Sequence, residues 1–138
     1  MPGQPIVVVV VEDDLALLHL NKQVLEYNGY RVLTAKNLKE ARERMEGPVP
    51  DLLVLDLELP DGSGLDFCRE LRKTNRVPVI LLTSLDGEAP RQAGYKAGAD
   101  DYITKPYRIE RLIESVRALT ARCSEPPEAQ NQSGLPKG

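Results

Sequence analysis

Unbroken apolar runs alternate along the chain with segments whose apolar residues recur every three or four positions. Ile6 to Val11, Leu52 to Leu55 and "VPVILLTS" are of the first kind. They lack the polar interleaving of a half-exposed strand and are rich in Val, Ile and Leu, so they read as strands buried on both faces of a parallel sheet. "YRVLTA" and "DDYIT" read as shorter second and fifth strands. The periodic segments between them predict helices. Leu15 to Asn28 puts Leu17, Leu20, Val24 and Tyr27 on one stripe and stops at Gly29. "NLKEARERMEG" starts on an Asn37 cap and ends at Gly47; Leu65 to Lys73 forms a third helix; a Gly/Glu/Pro start at Gly87 opens a fourth that closes near Gly98. "KPYRIERLIESVRALTAR" closes the series, with Ile109, Leu112, Ile113, Val116 and Leu119 inward.

Five βα units with buried central strands predict an α/β fold, a doubly wound (βα)5 three-layer sandwich. Right-handed crossovers leave few strand orders, and the flavodoxin-like parallel order 2-1-3-4-5 is natural for this length. That order sets the carboxyl ends of strands one and three side by side, where open α/β sheets bind their ligands.

A length of 138 residues suits one domain. A net charge of −3 without a long basic cluster argues against direct nucleic-acid binding by this chain. The longest apolar stretch is too short to span a bilayer, and the N-terminus lacks a signal-peptide layout, which places the chain in the cytoplasm. Cys68 and Cys123 lie far apart, show no metal spacing and read as free thiols of a reducing compartment. The aperiodic "SEPPEAQNQSGLPKG" sets the domain at residues 5–122 and makes 123–138 a flexible linker or tail.

The chemistry gathers at the strand ends. Strand one runs straight into Glu12, Asp13 and Asp14. A helix N-cap explains one of these acids but not the other two. Adjacent carboxylates repel one another unless a cation sits between them, so this stretch alone fits either a hard divalent metal or a solvated loop. Strand three ends in Asp56, strand four in Thr83 and Ser84, and strand five in Lys105. Singly, Asp56 reads as a cap, Thr83 as a satisfied hydroxyl and Lys105 as a solvated charge; four such ends on one sheet edge argue for a site.

Over residues 5–122 the chain resembles the receiver domain of two-component response regulators, on the strength of "VVVVEDD", "PDLLVLDLELPDGSGLD", "PVILLTS" and "GADDYITKPY" in that order and spacing. The resemblance implies that Asp56 accepts a phosphoryl group from a sensor histidine kinase. It implies Mg²⁺ bound by Glu12, Asp13, Asp56 and the backbone carbonyl of Glu58, and a switch in which Thr83, Tyr102 and Lys105 transmit the change. The physics agrees: a carboxylate attacking a phosphoryl donor brings two anions together, so a cation and Lys105 must offset the charge. Glu12, one carbon longer than Asp13, is expected to act partly through water. Lys105 is the expected counter-ion of Asp56, and the bond to Pro106 is expected to be cis. Tyr102 either swings as Thr83 moves or simply packs. Glu58 and Leu85 stand two positions after acceptor and hydroxyl, where the resemblance puts the residues that flank a hydrolytic water.

An FMN carrier of the same strand order needs a Thr/Ser/Gly phosphate loop after strand one, where this chain has three acids. A dehalogenase-like phosphatase wants an Asp where Glu58 stands, and has a cap domain for which there is no room. The stronger rival is a stand-alone or scaffold receiver that acts by protein–protein interaction without a DNA-binding output. The domain is expected to be no enzyme beyond its own phosphotransfer and autodephosphorylation, and to control transcription through a winged-helix output domain. Such relatives form phosphorylation-dependent homodimers through helix four, strand five and helix five, with an acid where Arg111 stands and an arginine where Ser115 stands. On that basis Arg111 is expected to face Arg91, and any homodimer to be weak.

Overall fold

The computed structural model describes residues 5–124. Its parallel sheet comprises β1 (Val7–Val11), β2 (Arg31–Ala35), β3 (Leu52–Asp56), β4 (Val79–Thr83) and β5 (Asp101–Thr104), side by side in the order β2-β1-β3-β4-β5. The helices are α1 (Leu15–Tyr27), α2 (Leu38–Glu46), α3 (Gly64–Leu71), α4 (Glu88–Lys96) and α5 (Ile109–Ser124). Alternation along each strand divides the core into two layers. Val9, Val11, Leu53, Leu55, Val79 and Leu81 pack with Leu38, Ala41, Phe67 and Leu71 of α2 and α3. Val8, Val10, Leu52, Val54, Ile80 and Leu82 pack with Leu18, Leu25, Leu112 and Val116 of α1 and α5. The expected three-layer sandwich and strand order are therefore present.

The α1 stripe is a correction. Leu20 is 46% exposed and Tyr27 92%, while the buried residues are Leu18, Asn21 and Leu25. Asn21 belongs inside because its Oδ1 accepts a hydrogen bond from the Tyr107 hydroxyl at 3.1 Å, a partner 86 residues away that no local pattern reveals. Smaller differences lie at element ends. Ser63 Oγ accepts from the N–H groups of Leu65 and Asp66, so α3 begins at Gly64 and ends at Leu71. Helix α4 spans Glu88–Lys96 between its caps Gly87 and Ala97, close to the expected bounds. Helix α5 runs through Cys123 and Ser124, which the sequence reading gave to the tail; the rest of that tail, and the Cys123 thiol, lie outside the described residues and side chains. The other cysteine, Cys68, is a buried free thiol.

The amino-terminal edge of the sheet is tied by two aspartates. Asp51 Oδ2 accepts from Val7 N at 2.9 Å and Asp51 N donates to Val7 O; Asp100 Oδ2 accepts from Val79 N at 2.9 Å and Asp100 N donates to Val79 O. Each aspartate thus occupies the free N–H at the start of a neighbouring strand.

Candidate functional site: an acidic cluster at the sheet edge

At the opposite edge, β1 and β3 deliver Glu12 and Asp56, and the turn after β1 delivers Asp13. One carboxylate oxygen from each of the three lies within 4.8 Å of the others. Glu12 is 1% exposed and Asp56 4%, whereas Asp13 opens to solvent. Asp14 turns away and caps α1, its Oδ1 accepting from Ala16 N and Leu17 N. Directly after β3 a short hairpin pairs Glu58–Leu59 with Gly62–Ser63. It is held close by Gly64, where a Cβ would sit 2.4 Å from the Asp56 carbonyl oxygen. Glu58 N donates to Asp56 Oδ1 at 3.2 Å.

The ammonium of Lys105, carried by the segment after β5, lies 2.9 Å from Glu12 Oε1 and 3.4 Å from Asp56 Oδ2. Its nearer partner is therefore Glu12, which the sequence reading did not assign. The Lys105–Pro106 bond is cis, as expected. Burial disfavours the charged lysine, but Glu12 and Asp56 outweigh it and hold the ammonium above the ordinary lysine range. For Glu12 burial wins: its carboxyl is pushed up despite hydrogen bonds from Lys105 and Asp14 N. Three crowded carboxylates set against one ammonium leave a net negative charge among hard oxygen donors only. That donor set fits Mg²⁺ and gives no reason for a soft metal.

Thr83 is fully buried, and its Oγ1 accepts from Leu85 N at 3.0 Å. The Tyr102 hydroxyl donates to Leu85 O at 2.8 Å, so Leu85's backbone joins the two expected switch residues. The ring of Tyr102 is turned inward and 1% exposed, with burial pushing its phenol up. It fits there because Gly94 of α4 has no side chain; a Cβ would lie 2.8 Å from Tyr102 Cδ2. One turn earlier on α4, the Arg91 guanidinium sits 5.2 Å over the ring. Leu85's own side chain is 45% exposed, and Ser84 Oγ donates to Glu58 Oε1 at 3.4 Å.

The expected opposition of Arg111 and Arg91 belongs to a homodimer; within one chain Arg111 already has an acidic partner. Arg111 makes a two-pronged pair with Asp101, Nη1 to Oδ2 and Nη2 to Oδ1 at 3.0 Å each, and Ser115 Oγ donates to the same carboxylate.

A profile of the response regulator receiver domain matches residues 8–117. The chain is 43% identical to the probable transcriptional regulatory protein TcrX of Mycobacterium tuberculosis over 87% of its length and 52% of that protein's. It is 39% identical to the response regulator MprA of Mycobacterium sp. strain KMS over 95% of its length and 57% of that protein's. It therefore spans about half the length of these curated relatives. Among solved structures, the receiver domain of the Francisella response regulator 1452 superposes with a TM-score of 0.82 at 35% identity, covering 88% of this chain and 100% of that one. DrrB, an OmpR/PhoB homologue of Thermotoga maritima, gives 0.79 at 35%, covering 86% and 54%.

Proposed function

This chain belongs to the response regulator receiver family, and on that premise we propose that it is a phosphorylation-operated signalling switch whose acceptor is Asp56. The observation that carries the reading is the convergence of Glu12, Asp13 and Asp56 with Lys105 at one buried sheet edge. Asp56 is held for attack: Glu58 N fixes Oδ1, and Lys105 leans on Oδ2. A carboxylate oxygen forms the new O–P bond as the donor's P–N bond breaks and the histidine imidazole of a sensor kinase leaves. Glu12, Asp13, Asp56 and the Glu58 carbonyl would hold Mg²⁺, which supplies charge neutralisation of the phosphoryl oxygens when bound. Lys105 then stabilises the phosphoryl charge, as a point charge already placed between two carboxylates. Thr83 Oγ1 accepts from Leu85 N and keeps its own O–H to donate to a phosphoryl oxygen, so a movement of Thr83 toward Asp56 is carried to the Leu85 backbone whose carbonyl holds Tyr102.

The domain catalyses no turnover beyond its own phosphotransfer and autodephosphorylation, and it works in the cytoplasm, where kinase and output meet. Among the described residues no helix is long and apolar enough to cross a membrane. The names of TcrX and DrrB support an output that regulates transcription, placed outside this chain. The test is intact mass after acetyl phosphate and Mg²⁺. A gain of one phosphoryl group that is lost in Asp56→Asn supports the switch, and no gain in the wild type leaves an interaction scaffold in its place.

A further inference from the structure

The start of α2 is capped from its own sequence. Asn37 Oδ1 accepts from Glu40 N at 2.8 Å, and Glu40 Oε1 accepts in turn from Lys36 N at 2.9 Å. The N–H groups of Leu38 and Lys39 are left over, as the first donors of any helix are. A distant carboxylate takes both: Asp61 Oδ1 accepts from Leu38 N at 2.8 Å and Oδ2 from Lys39 N at 3.0 Å. Asp61 stands with Pro60 at the tip of the hairpin that follows Asp56. The donors at the helix start, Leu38 N foremost, hold its carboxyl below the ordinary aspartate range, so both oxygens remain acceptors at pH 7. Leu38 also covers the hairpin from the side, for a Cβ on Gly62 would meet Leu38 Cδ1 at 2.9 Å. Leu38 and Ala41 are buried in the core, which makes α2 a fixed anchor.

We propose that Asp61 is a positioning residue for the acceptor site, gripping the start of α2 so that the hairpin holds the Glu58 backbone against Asp56. The base of the hairpin carries that backbone: Glu58 N donates to Asp56 Oδ1 at 3.2 Å, and Gly64 N donates to Leu57 O at 2.9 Å. Two rungs, Glu58 with Ser63 and Leu59 with Gly62, join base to tip. A hairpin of two strands is marginal in water by itself, so rungs this few need an outside hold. Leu59, buried in the core, supplies one between base and tip. Asp61 supplies the other at the tip itself. Because α2 keeps its own caps, the two bonds to Asp61 are not what forms the helix; their effect falls on the loop. The Glu58 carbonyl sits on the first rung, and the consequence for Mg²⁺ rests on the switch proposed above, whereas the hold on the loop does not.

The test compares Asp61→Ala, Asp61→Asn and Asn37→Ala with the wild type, all unphosphorylated. In EDTA, Asp61→Ala quickens hydrogen exchange at Glu58 N about tenfold, a local opening that leaves the β1 amides unchanged. A Mg²⁺ titration followed in ¹H–¹⁵N spectra gives a Kd raised about tenfold, the low end of what loss of an outer partner costs a metal site. Asp61→Asn keeps one acceptor oxygen without the charge and falls between wild type and Asp61→Ala. Asn37→Ala removes the cap of α2 and lowers the urea midpoint, yet Glu58 exchange and Mg²⁺ affinity stay as in the wild type. Unchanged Glu58 exchange in Asp61→Ala overturns the proposal. An equal shift in Asn37→Ala also overturns it, the effect then being helix stability, as does an Asp61→Asn no better than Asp61→Ala, the effect then being charge. Mass gain from acetyl phosphate is recorded on the same proteins. A wild type that neither binds Mg²⁺ nor gains a phosphoryl group defeats the switch, and Glu58 exchange in EDTA then decides the role of Asp61. A phosphorylated wild type with unmoved Glu58 exchange in the variants defeats the role of Asp61 alone.

Discussion

At the amino-terminal edge of the sheet, Asp51 and Asp100 each give an oxygen to a strand-opening N–H and return their own N–H to the same residue. At the carboxyl-terminal edge, Glu12, Asp13 and Asp56 crowd one another, and a single ammonium reaches two of them, Glu12 and Asp56. The residue type is nearly the same at both edges, and β3 has one acid before it and another at its end. What differs is saturation. Asp51 and Asp100 each answer a strand-opening donor; Glu12 and Asp56 also accept one backbone N–H each, from Asp14 and Glu58, but keep oxygens facing one another, a repulsion that only a cation offsets.

Asp56→Asn makes the largest break in this comparison: phosphorylation by acetyl phosphate falls below detection by mass, with the fold intact by circular dichroism. Next, Glu12→Gln/Asp13→Asn abolishes phosphorylation but raises the metal-free stability at pH 7 by about 1–2 kcal/mol, because mutual repulsion and a buried charge both go. The sign follows from Glu12: its native carboxyl is pushed above 4.5, so the wild type loses stability as pH rises from 4.5 through that raised value. The advantage of the double variant, read as a urea midpoint in EDTA, therefore grows from pH 4 to pH 7; a lower midpoint than wild type at pH 7 contradicts the crowding argument. Asp51→Ala and Asp100→Ala act oppositely. Each costs about 1 kcal/mol for the strand-opening hydrogen bond, the exposed Arg72–Asp100 ion pair adding little, and leaves the phosphorylation rate unchanged. A slower rate in either would erase the distinction between the edges.

The smallest effect concerns lifetime. Leu85 keeps its side chain half exposed two positions after Thr83, so it is free to exclude a hydrolytic water. Leu85→Asn speeds phosphate release about threefold, roughly 0.7 kcal/mol on the barrier. Equal or slower release, measured at fixed Mg²⁺, removes Leu85 from the reaction.

The strands and their order were readable because a doubly buried strand is nearly continuous in apolar residues, as "VVVVV" and "LLVLD" are. The acidic cluster was readable because strand ends in such a sheet share an edge, so Glu12, Asp13, Asp56 and Lys105 met without any knowledge of side-chain geometry. Residues whose role is set by one distant partner were not readable. Asn21 is inside because of Tyr107, Glu12 rather than Asp56 lies nearer Lys105, and Arg111 belongs to Asp101. Asp51 and Asp100 have a sequence signal that could have found them, an Asp just ahead of a strand, but it is shared with every turn. Of the three acids after β1, the one that a local role explains, as a cap, is Asp14.

The glycine that admits the Tyr102 ring has a consequence for how the molecule breathes. Helix α4 follows an N-cap, Gly87, that has no side chain to cap with, and it carries Gly94 in its interior, so its own propensity for the helical state is weak. Its order is borrowed from the ring that fills the space beside Gly94 and from Arg91 lying across that ring. Withdrawing the ring removes what holds the helix, and fraying the helix frees the ring, so the two behave as one cooperative opening unit at the low end of the domain's ladder of partial unfolding free energies.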